Sequence, residues 1–265
     1  MAGVANIGAD SNWCGNIFNQ ANWFVYGRLS WNNQLTASDI ADEWLKMTFT
    51  NEDSFITPVK EMMMQSRENT VNYMTPLGLH HIMGVNTHYG PGPWVNNGGR
   101  ADWNSTYYHK ADAAGIGFDR TSTGSNAVSQ YFSPLKEKFN DVQTTPEEYL
   151  LWFHHLPWTY KMKSGNTLWD ELTAHYYKGV SAVQQMQVTW NKMEGKIDQE
   201  RFKAVKDLLV RQEKEARWWR DGCLLYFQTF SKMPIPAKYK QPELSLKDYT
   251  DPNFIPMKPV PAAIR

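Results

Sequence analysis

A long apolar stripe near the C-terminal end, over residues 198 to about 231, narrows the possible folds of this chain more than any other pattern. Its apolar residues alternate by three and four positions, which is typical of a helix packed along one side against a partner helix. Only the polar Gln212 interrupts the pattern, and at 1.5 Å per residue the helix would be about 50 Å long. The apolar positions are Phe202, Val205, Leu209, Ala216, Trp219, Cys223, Tyr226 and Phe230.

A second long helix is predicted just before it, over residues 167–194. Only residues 195–197 separate the two, and so short a connection favours an antiparallel helix pair. The leading interpretation of the stripe is therefore packing within the chain. A subunit interface along part of the stripe is the alternative.

Two shorter helices are predicted over residues 36–49 and 51–74, where apolar residues recur at helical spacing. Thr36 can cap the first of them, and Asp39 stands at the third helical position as in a capping box. These patterns predict a mainly α fold with a helical domain over residues 36–232.

A further helix start is predicted around residue 145, and an extended tail follows the last helix. Thr145 supplies a capping hydroxyl, and Pro146 and two acidic residues follow it, so we expect a helix that ends before Pro157. Residues 233–265 contain seven prolines, which predicts an extended tail.

The N-terminal part of the chain predicts one strand followed by one helix. Residues 2–8, centred on Val4 and Ile7, have the composition of a short buried strand, and residues 16–29 that of a helix with a wide apolar face. A lone strand of such a unit leaves its backbone groups without partners unless parallel strands flank it. We therefore expect residues 1–35 to be one βα unit of a larger α/β domain.

Composition excludes several classes of partner. The formal net charge is zero, from 27 basic and 27 acidic residues, and there is no basic stripe of the kind that nucleic-acid binding requires. No apolar run approaches the roughly 20 residues of a membrane span. Cys14 and Cys223 are far apart in sequence, and two separate packed thiols are favoured over a disulfide.

The segment over residues 75–125 is the strongest candidate for a functional region. It is long for a loop in a compact chain, and its aromatic density argues against disorder. The segment concentrates histidines, aromatic residues and glycines, which are His80, His81, His88, Tyr89, Gly90, Gly92, Trp94, Gly98, Gly99, Trp103, Tyr107, Tyr108, His109, Gly115 and Gly117.

Three interpretations of this segment compete. His80, His81 and His88 could supply metal ligands, but adjacent histidines on an extended chain point in opposite directions and no cysteine or acidic pair joins them. Trp94 follows a Gly-Pro-Gly-Pro run that stiffens the backbone, which suits stacking on the apolar face of a sugar. The third possibility is a packed loop whose aromatic side chains are buried under helices.

Catalytic patterns are otherwise sparse. There is no nucleophile elbow, phosphate-binding loop or dinucleotide fingerprint. Asp10, Asp102 and Asp119 lie near turns, where an aspartate usually serves an Asx turn or a helix cap. Sequence alone cannot show whether two of these carboxylates face each other across a cleft at the distance that glycoside hydrolysis requires.

Several motifs resemble the C-terminal region of family 67 α-glucuronidases, and they occur in the same order from about residue 3 to the 230s. They lie at residues 3–8, 12–13, 20–22, 27–29, 40–44, 76–81, 88–94, 115–120 and 151–155. The most distinctive are His88-Tyr89-Gly90-Pro91-Gly92-Pro93-Trp94 and Gly115-Ile116-Gly117-Phe118-Asp119-Arg120.

This resemblance implies a fold and an activity. Residues 4–7 would form the last strand of a (β/α)₈ barrel, and the rest the helical C-terminal domain, which contributes to dimerisation. The family removes α-1,2-linked 4-O-methylglucuronic acid from xylooligosaccharides with inversion, and it needs no metal or other cofactor. Trp94 best matches the tryptophan that lines the uronic-acid pocket, and Tyr89 and His88 are the accompanying substrate-binding candidates.

The resemblance also implies that catalytic residues are missing. The family's general acid and its other carboxylates lie on earlier barrel strands, and their motifs are absent from this sequence. We therefore expect no catalytic residue in this chain and no hydrolysis by the chain alone. The alternative hypothesis is a stand-alone helical module that binds carbohydrate or serves a structural role.

Overall fold

The computed structural model describes residues 15–85, 88–251 and 254. The predicted mainly α class is confirmed, since helices dominate and the described residues form a single sheet of two short strands. The predicted strand at residues 2–8 lies outside the described residues, as do Asp10 and Cys14. The α-helices are α1 Asn19–Trp31, α2 Ala37–Thr48, α3 Asp53–Met74, α4 Ser105–His109, α5 Leu135–Asn140, α6 Leu150–Phe153, α7 Leu168–Asn191, α8 Gln199–Ser231 and α9 Leu246–Tyr249.

Short 3₁₀ helices and the small sheet complete the secondary structure. Strands β1 Gly115–Ile116 and β2 Leu156–Pro157 pair antiparallel, with Gly115 opposite Pro157. The 3₁₀ helices are Pro76–Gly78, Ala101–Trp103, Ala127–Gln130 and Glu147–Tyr149.

The chain divides into two compact units. Among the described residues, the first unit comprises 15–68 and 182–213, and the second comprises 69–181, 214–251 and 254. The boundaries between the units fall near the end of α3 and within α7 and α8.

The first unit has an aromatic core around Trp190. The Trp190 side chain is completely buried, and its ring is stacked on Phe202 with 6.0 Å between ring centroids. Its indole N–H donates to the backbone carbonyl of Phe202 at 2.9 Å, which aligns the end of α7 with the start of α8. Burial of large aromatic side chains is a major source of stability in a core of this kind.

The antiparallel arrangement predicted for the two long helices is confirmed within the first unit. Trp190 contacts Phe202, and farther from the connection Gln184 of α7 donates to Glu213 of α8 at 2.8 Å. Phe202, Val205 and Leu209 of the predicted stripe are buried in this core, so here the stripe packs within the chain.

The predicted cap of α2 is also confirmed. The Thr36 hydroxyl oxygen accepts a hydrogen bond from the backbone N–H of Asp39 at 3.2 Å, and the hydroxyl donates to the Asp39 carboxylate at 2.6 Å. One of the unpaired N–H groups at the helix start is thereby satisfied.

The capping role predicted for Thr145 is wrong. Its hydroxyl lies 2.9 Å from the carbonyl oxygen of Asp141 and 2.8 Å from Nε2 of His154, so it closes the turn after α5 instead of capping a helix. Pro146 takes the N-cap position of the 3₁₀ helix Glu147–Tyr149, and no side chain caps it.

Two further differences from the sequence-based expectations concern the ends of the chain. Helix α1 buries none of its residues fully: Ala21 and Phe24 are partly buried against the core of the first unit, whereas Leu29 of the expected apolar face is 38% exposed. In the tail predicted to be extended, Ser245 and Asp248 form a capping box that starts α9, and Tyr249 is buried.

Candidate functional site

The three substrate-binding candidates lie on or beside a hairpin in the second unit. The hairpin is closed by hydrogen bonds from Gly84 N to Gly90 O at 2.9 Å and from Gly92 N to Ile82 O at 2.8 Å. A Cβ at Gly90, where φ is +72°, would overlap the Trp218 ring, and one at Gly92 would lie 2.6 Å from the carbonyl oxygen of Met83. Only glycine therefore fits at these two positions, which explains the Gly-Pro-Gly-Pro run in structural terms.

Trp94 packs against α8 and is only partly exposed. Its ring centroid is 6.2 Å from that of Tyr226 with nearly perpendicular planes, and a Cβ at Gly222 would lie 3.6 Å from the indole. One side of the indole therefore contacts the helix, in part as the packed-loop interpretation expects, and part of the ring remains accessible.

Tyr89 also contacts α8, whereas the ring contact of His88 is with His81. The Tyr89 ring lies 5.6 Å from Trp218, its hydroxyl is hydrogen-bonded to Glu215, and the residue is 37% exposed. His88 is exposed, and its ring centroid lies 6.1 Å from that of His81.

The aromatic cluster that His88 approaches combines segments distant in sequence. The ring of His81 lies 4.6 Å from that of Tyr108, which in turn is stacked on Trp152 at 6.2 Å with planes 22° apart. His80 contacts the edge of Trp152 at 5.4 Å. Three histidines and two large aromatic rings are thus contiguous on this part of the second unit.

Arg120 packs against the Trp152 ring of this cluster. Its guanidinium lies 3.7 Å from the Trp152 ring centroid and 4.2 Å from that of Phe118, and it donates to the carbonyl oxygen of Trp152 at 2.5 Å. Burial lowers the pKa of Arg120, but an arginine still remains charged. Burial lowers the pKa of His80 as well, and the charges of His81 and Arg120 act in the same direction.

Sequence reasoning did not identify Arg120 and Trp152 as partners. Arg120 lies in the 115–120 motif and Trp152 in the 151–155 motif, but their contact joins residues 32 positions apart. A pairing of this kind depends on tertiary structure, and no local pattern indicates it.

His109 fixes the backbone that follows the hairpin. Its Nδ1 accepts from the backbone N–H of Ala111 at 2.9 Å, so the proton is on Nε2 and is donated to the carbonyl oxygen of Pro93 at 2.8 Å. The ring is buried, and this burial lowers the pKa of His109 to about 4. His109 is therefore a neutral positioning residue beside Trp94 at neutral pH.

We expect His109 to make stability fall as the solution becomes acidic. Its pKa is about 4 in the folded protein against 6.5 in the unfolded chain, so the unfolded chain binds the proton first and stability is lost between those two values. Between pH 7 and pH 5 the loss from this group is about 2 kcal/mol. Urea unfolding at both pH values should therefore show a smaller loss for His109→Gln. An equal loss in both proteins would contradict the assignment.

Asp102 and Asp119, the two turn aspartates that the structure describes, have structural roles. The Asp119 carboxylate accepts hydrogen bonds from the backbone N–H and hydroxyl of Thr121 and from the hydroxyl of Thr123. Burial opposes its ionisation, but these hydrogen bonds outweigh that effect and hold the pKa of Asp119 below its ordinary value. Asp102 forms a two-point ion pair with Arg100.

Among the residues that the structure describes, no three His, Cys, Asp or Glu side chains are grouped so that they could hold a metal ion. Cys223 is a buried free thiol, and burial raises its pKa to about 12, as expected for a packed cysteine. Within the described ranges, no helix combines the length and the apolar character needed to cross a bilayer.

Comparison with known proteins identifies a family for this mainly helical chain. Residues 14–240 match the sequence profile described as the glycosyl hydrolase family 67 C-terminus. The chain is 32% identical over 266 aligned residues to the alpha-glucuronidase of Hypocrea jecorina. This alignment covers 96% of this chain and 31% of that relative. It is 34% identical over 238 residues to alpha-glucuronidase A of Emericella nidulans, covering 89% of this chain and 28% of that relative.

These matches place the chain among the glycoside hydrolases. More specifically, the chain belongs to glycosyl hydrolase family 67 and corresponds to its C-terminal region. It spans about three tenths of the length of the curated relatives that it matches.

Proposed function

We propose that this chain is the C-terminal portion of an inverting α-glucuronidase. The complete enzyme would remove α-1,2-linked (4-O-methyl)glucuronic acid from oligosaccharides derived from glucuronoxylan, as a homodimer and without a metal or other cofactor. The chain's own contribution would be one wall of the uronic-acid pocket, with Trp94, Tyr89 and His88 as the contacting residues. Family membership and the names of the relatives support this proposal.

The observation that carries the proposal is the rigid setting of Trp94. The indole is partly exposed, yet it is held by a hairpin that packs on α8 at Gly90 and by the hydrogen bond from His109 to Pro93. An aromatic ring that is already fixed loses little conformational entropy when a sugar stacks on it. Tyr89 and His88 lie on the hairpin that precedes Trp94 in the chain, and both are exposed.

The competing proposal is a stand-alone helical module that binds carbohydrate or has a structural role. The reading frame upstream of Met1 discriminates between the two. An open frame that encodes the earlier barrel strands would support the enzyme portion. A stop codon and a promoter directly before Met1 would eliminate it.

We expect Trp94→Ala, in a complete enzyme of the family that carries this region, to raise the KM for aldouronic acids by about tenfold. The reason is the loss of a stacking contact worth roughly 0.5–1.5 kcal/mol in addition to the burial of the ring. Steady-state kinetics on aldouronic acids would measure this change. The isolated 265-residue chain, in the same assay, should release no methylglucuronic acid because the family's catalytic motifs are absent from it.

The matched control is Trp103→Ala. Trp103 lies in the same segment and is 56% exposed, but its ring contacts Arg100 and it is not part of the hairpin. Its substitution should leave KM unchanged. If Trp94→Ala lowers only the unfolding free energy and not the affinity, Trp94 is a packing residue.

Turnover by the isolated chain would show that the catalytic carboxylates had been misplaced.

A further inference from the structure

A cavity of about 250 Å³ lies in the second unit between the middle of α8 and the segment that carries α9. It is distinct from the hairpin that bears Trp94, which does not line it. The described residues that line the cavity are Lys214, Arg217, Trp218, Arg220, Asp221, Lys240, Gln241, Glu243, Leu244, Tyr249 and Phe254.

Arg220 is the most unusual residue of this lining. It is only 6% exposed, and its Nε–H donates to the Asp221 carboxylate at 2.6 Å, while the guanidinium lies 4.4 Å from the Tyr177 ring centroid. An arginine has five N–H donors, and in the described part of the chain the other four meet no hydrogen-bond acceptor. None of the Arg220 nitrogens is among the fully enclosed atoms that lack a partner, so these N–H groups can be reached by an acceptor that enters the cavity from solution.

Asp221 does not oppose an incoming anion strongly because its charge is already compensated. One carboxylate oxygen accepts from Arg220, and the other lies 3.3 Å from the hydroxyl of Tyr249. Burial and the neighbouring Asp221 charge raise the pKa of Tyr249, so this hydroxyl stays protonated and donates.

The rim of the cavity is positively charged. Four basic and two acidic side chains line it, which leaves an excess of two positive charges. Lys240 pairs with Glu243 at 2.6 Å, and this hydrogen bond, with smaller contributions from the charges of Arg217 and Arg220, lowers the pKa of Glu243. Such a rim attracts small anions from solution.

The remaining walls are apolar. Trp218, Leu244, Tyr249 and Phe254 present aromatic or aliphatic surface, and the Phe254 ring lies 5.9 Å from Trp218 and 5.2 Å from Tyr249. A mostly apolar concave surface with a few polar groups is the usual form of a small-molecule site.

We propose that this cavity binds a small, ring-shaped oxyanion, such as a sugar acid or a sugar phosphate. Carboxylate or phosphate oxygens would accept hydrogen bonds from the unused N–H groups of Arg220, which suit either acceptor. The ring would lie against the aromatic walls, while Lys214, Arg217 and Lys240 attract the charge. This proposal goes beyond the glucuronidase function and does not depend on it.

The test is calorimetric titration of the 265-residue chain with three probes: D-glucuronate, D-glucose 6-phosphate and D-glucose. At least one anion should bind with a Kd on the order of 1 mM, weakening as salt is added, and glucose should not bind measurably. Binding of glucuronate alone would identify a carboxylate ligand, and binding of the phosphate alone a phosphate ester. The proposal is overturned if neither anion binds or if glucose binds equally well.

Variants localise the binding to the cavity. Arg220→Lys keeps a charge beside Asp221 but removes the guanidinium fork, so the anion should bind at least about tenfold more weakly. The double change Lys214→Gln with Lys240→Gln should also weaken binding several-fold by removing rim charge. This double variant keeps the test valid if Arg220→Lys does not fold.

Lys136→Gln is the control, because Lys136 is an exposed lysine on α5 that does not line the cavity. It removes one positive charge as each rim substitution does. An equal loss of affinity in Lys136→Gln and the rim variant would show general charge attraction and would overturn the proposal.

Discussion

Replacing Gly117 with alanine should lower the free energy of unfolding by at least about 3 kcal/mol. Gly117 has a φ of +103°, a conformation that alanine adopts only with strain. An added Cβ would also overlap the backbone carbonyl oxygen of His154 and lie 3.0 Å from that of Leu151. Because these are backbone atoms, no side-chain rotation can relieve the overlap.

Gly117→Ala should also disturb the small sheet of the second unit. The N–H of Gly117 donates to the carbonyl oxygen of His109 at 2.7 Å, and its carbonyl oxygen lies 2.8 Å from Nδ1 of His155. A backbone shift at Gly117 would weaken both contacts together with the pairing of β1 and β2. The loss is to be measured by urea denaturation followed by far-ultraviolet circular dichroism.

Gly165→Ala provides a matched control. Its φ of +85° is also positive, but no heavy atom in the described part of the chain lies within 4 Å of a Cβ placed there, apart from its chain neighbours. Only the conformational cost should remain, about 1 kcal/mol. If both substitutions had the same effect, the close approach of His154 would not be what requires glycine at position 117.

The second large effect should come from Trp190→Ala, which we expect to cost about 3–5 kcal/mol. The indole is fully buried and touches the rings of Phe18 and Phe55 at centroid distances of 5.8 and 6.0 Å, in addition to Phe202. Its removal leaves a cavity among side chains from four segments of the first unit. It also removes the hydrogen bond that joins α7 to α8.

Trp31→Ala is the control for Trp190→Ala. Trp31 is 88% exposed, so its truncation should change the unfolding free energy by no more than about 0.5 kcal/mol. Chemical denaturation of both variants, at equal protein concentration, gives the comparison. A loss below 1 kcal/mol for Trp190→Ala would mean that the aromatic core does not hold the first unit together.

The helices were the most predictable part of this fold, because their determinants are local. The alternation of apolar residues predicted a helix start at residue 198 and an end at 231, and α8 spans Gln199–Ser231. The cap at Thr36 was predicted for the same reason, since both hydrogen-bonding groups lie within three residues.

The less predictable part consists of contacts between distant segments. Nothing local indicated that Arg120 would lie between Phe118 and Trp152. The Thr145 hydroxyl was predicted to cap a helix because the residues after it favour a helix start. Its hydrogen bond to the carbonyl oxygen of Asp141 depends on how the turn after α5 folds, which the local sequence does not reveal. The Trp94 hairpin was predicted to be stiff, but its packing on α8 depends on tertiary structure.

The close packing of Gly90 on Trp218 restricts how this sequence can vary. Trp218 contacts the hairpin at Gly90 and also lines the cavity, so its substitution would alter both regions. Position 90 can accept a larger residue only if position 218 becomes smaller, and even then the positive φ still favours glycine. Homologous sequences should therefore show the two positions changing together.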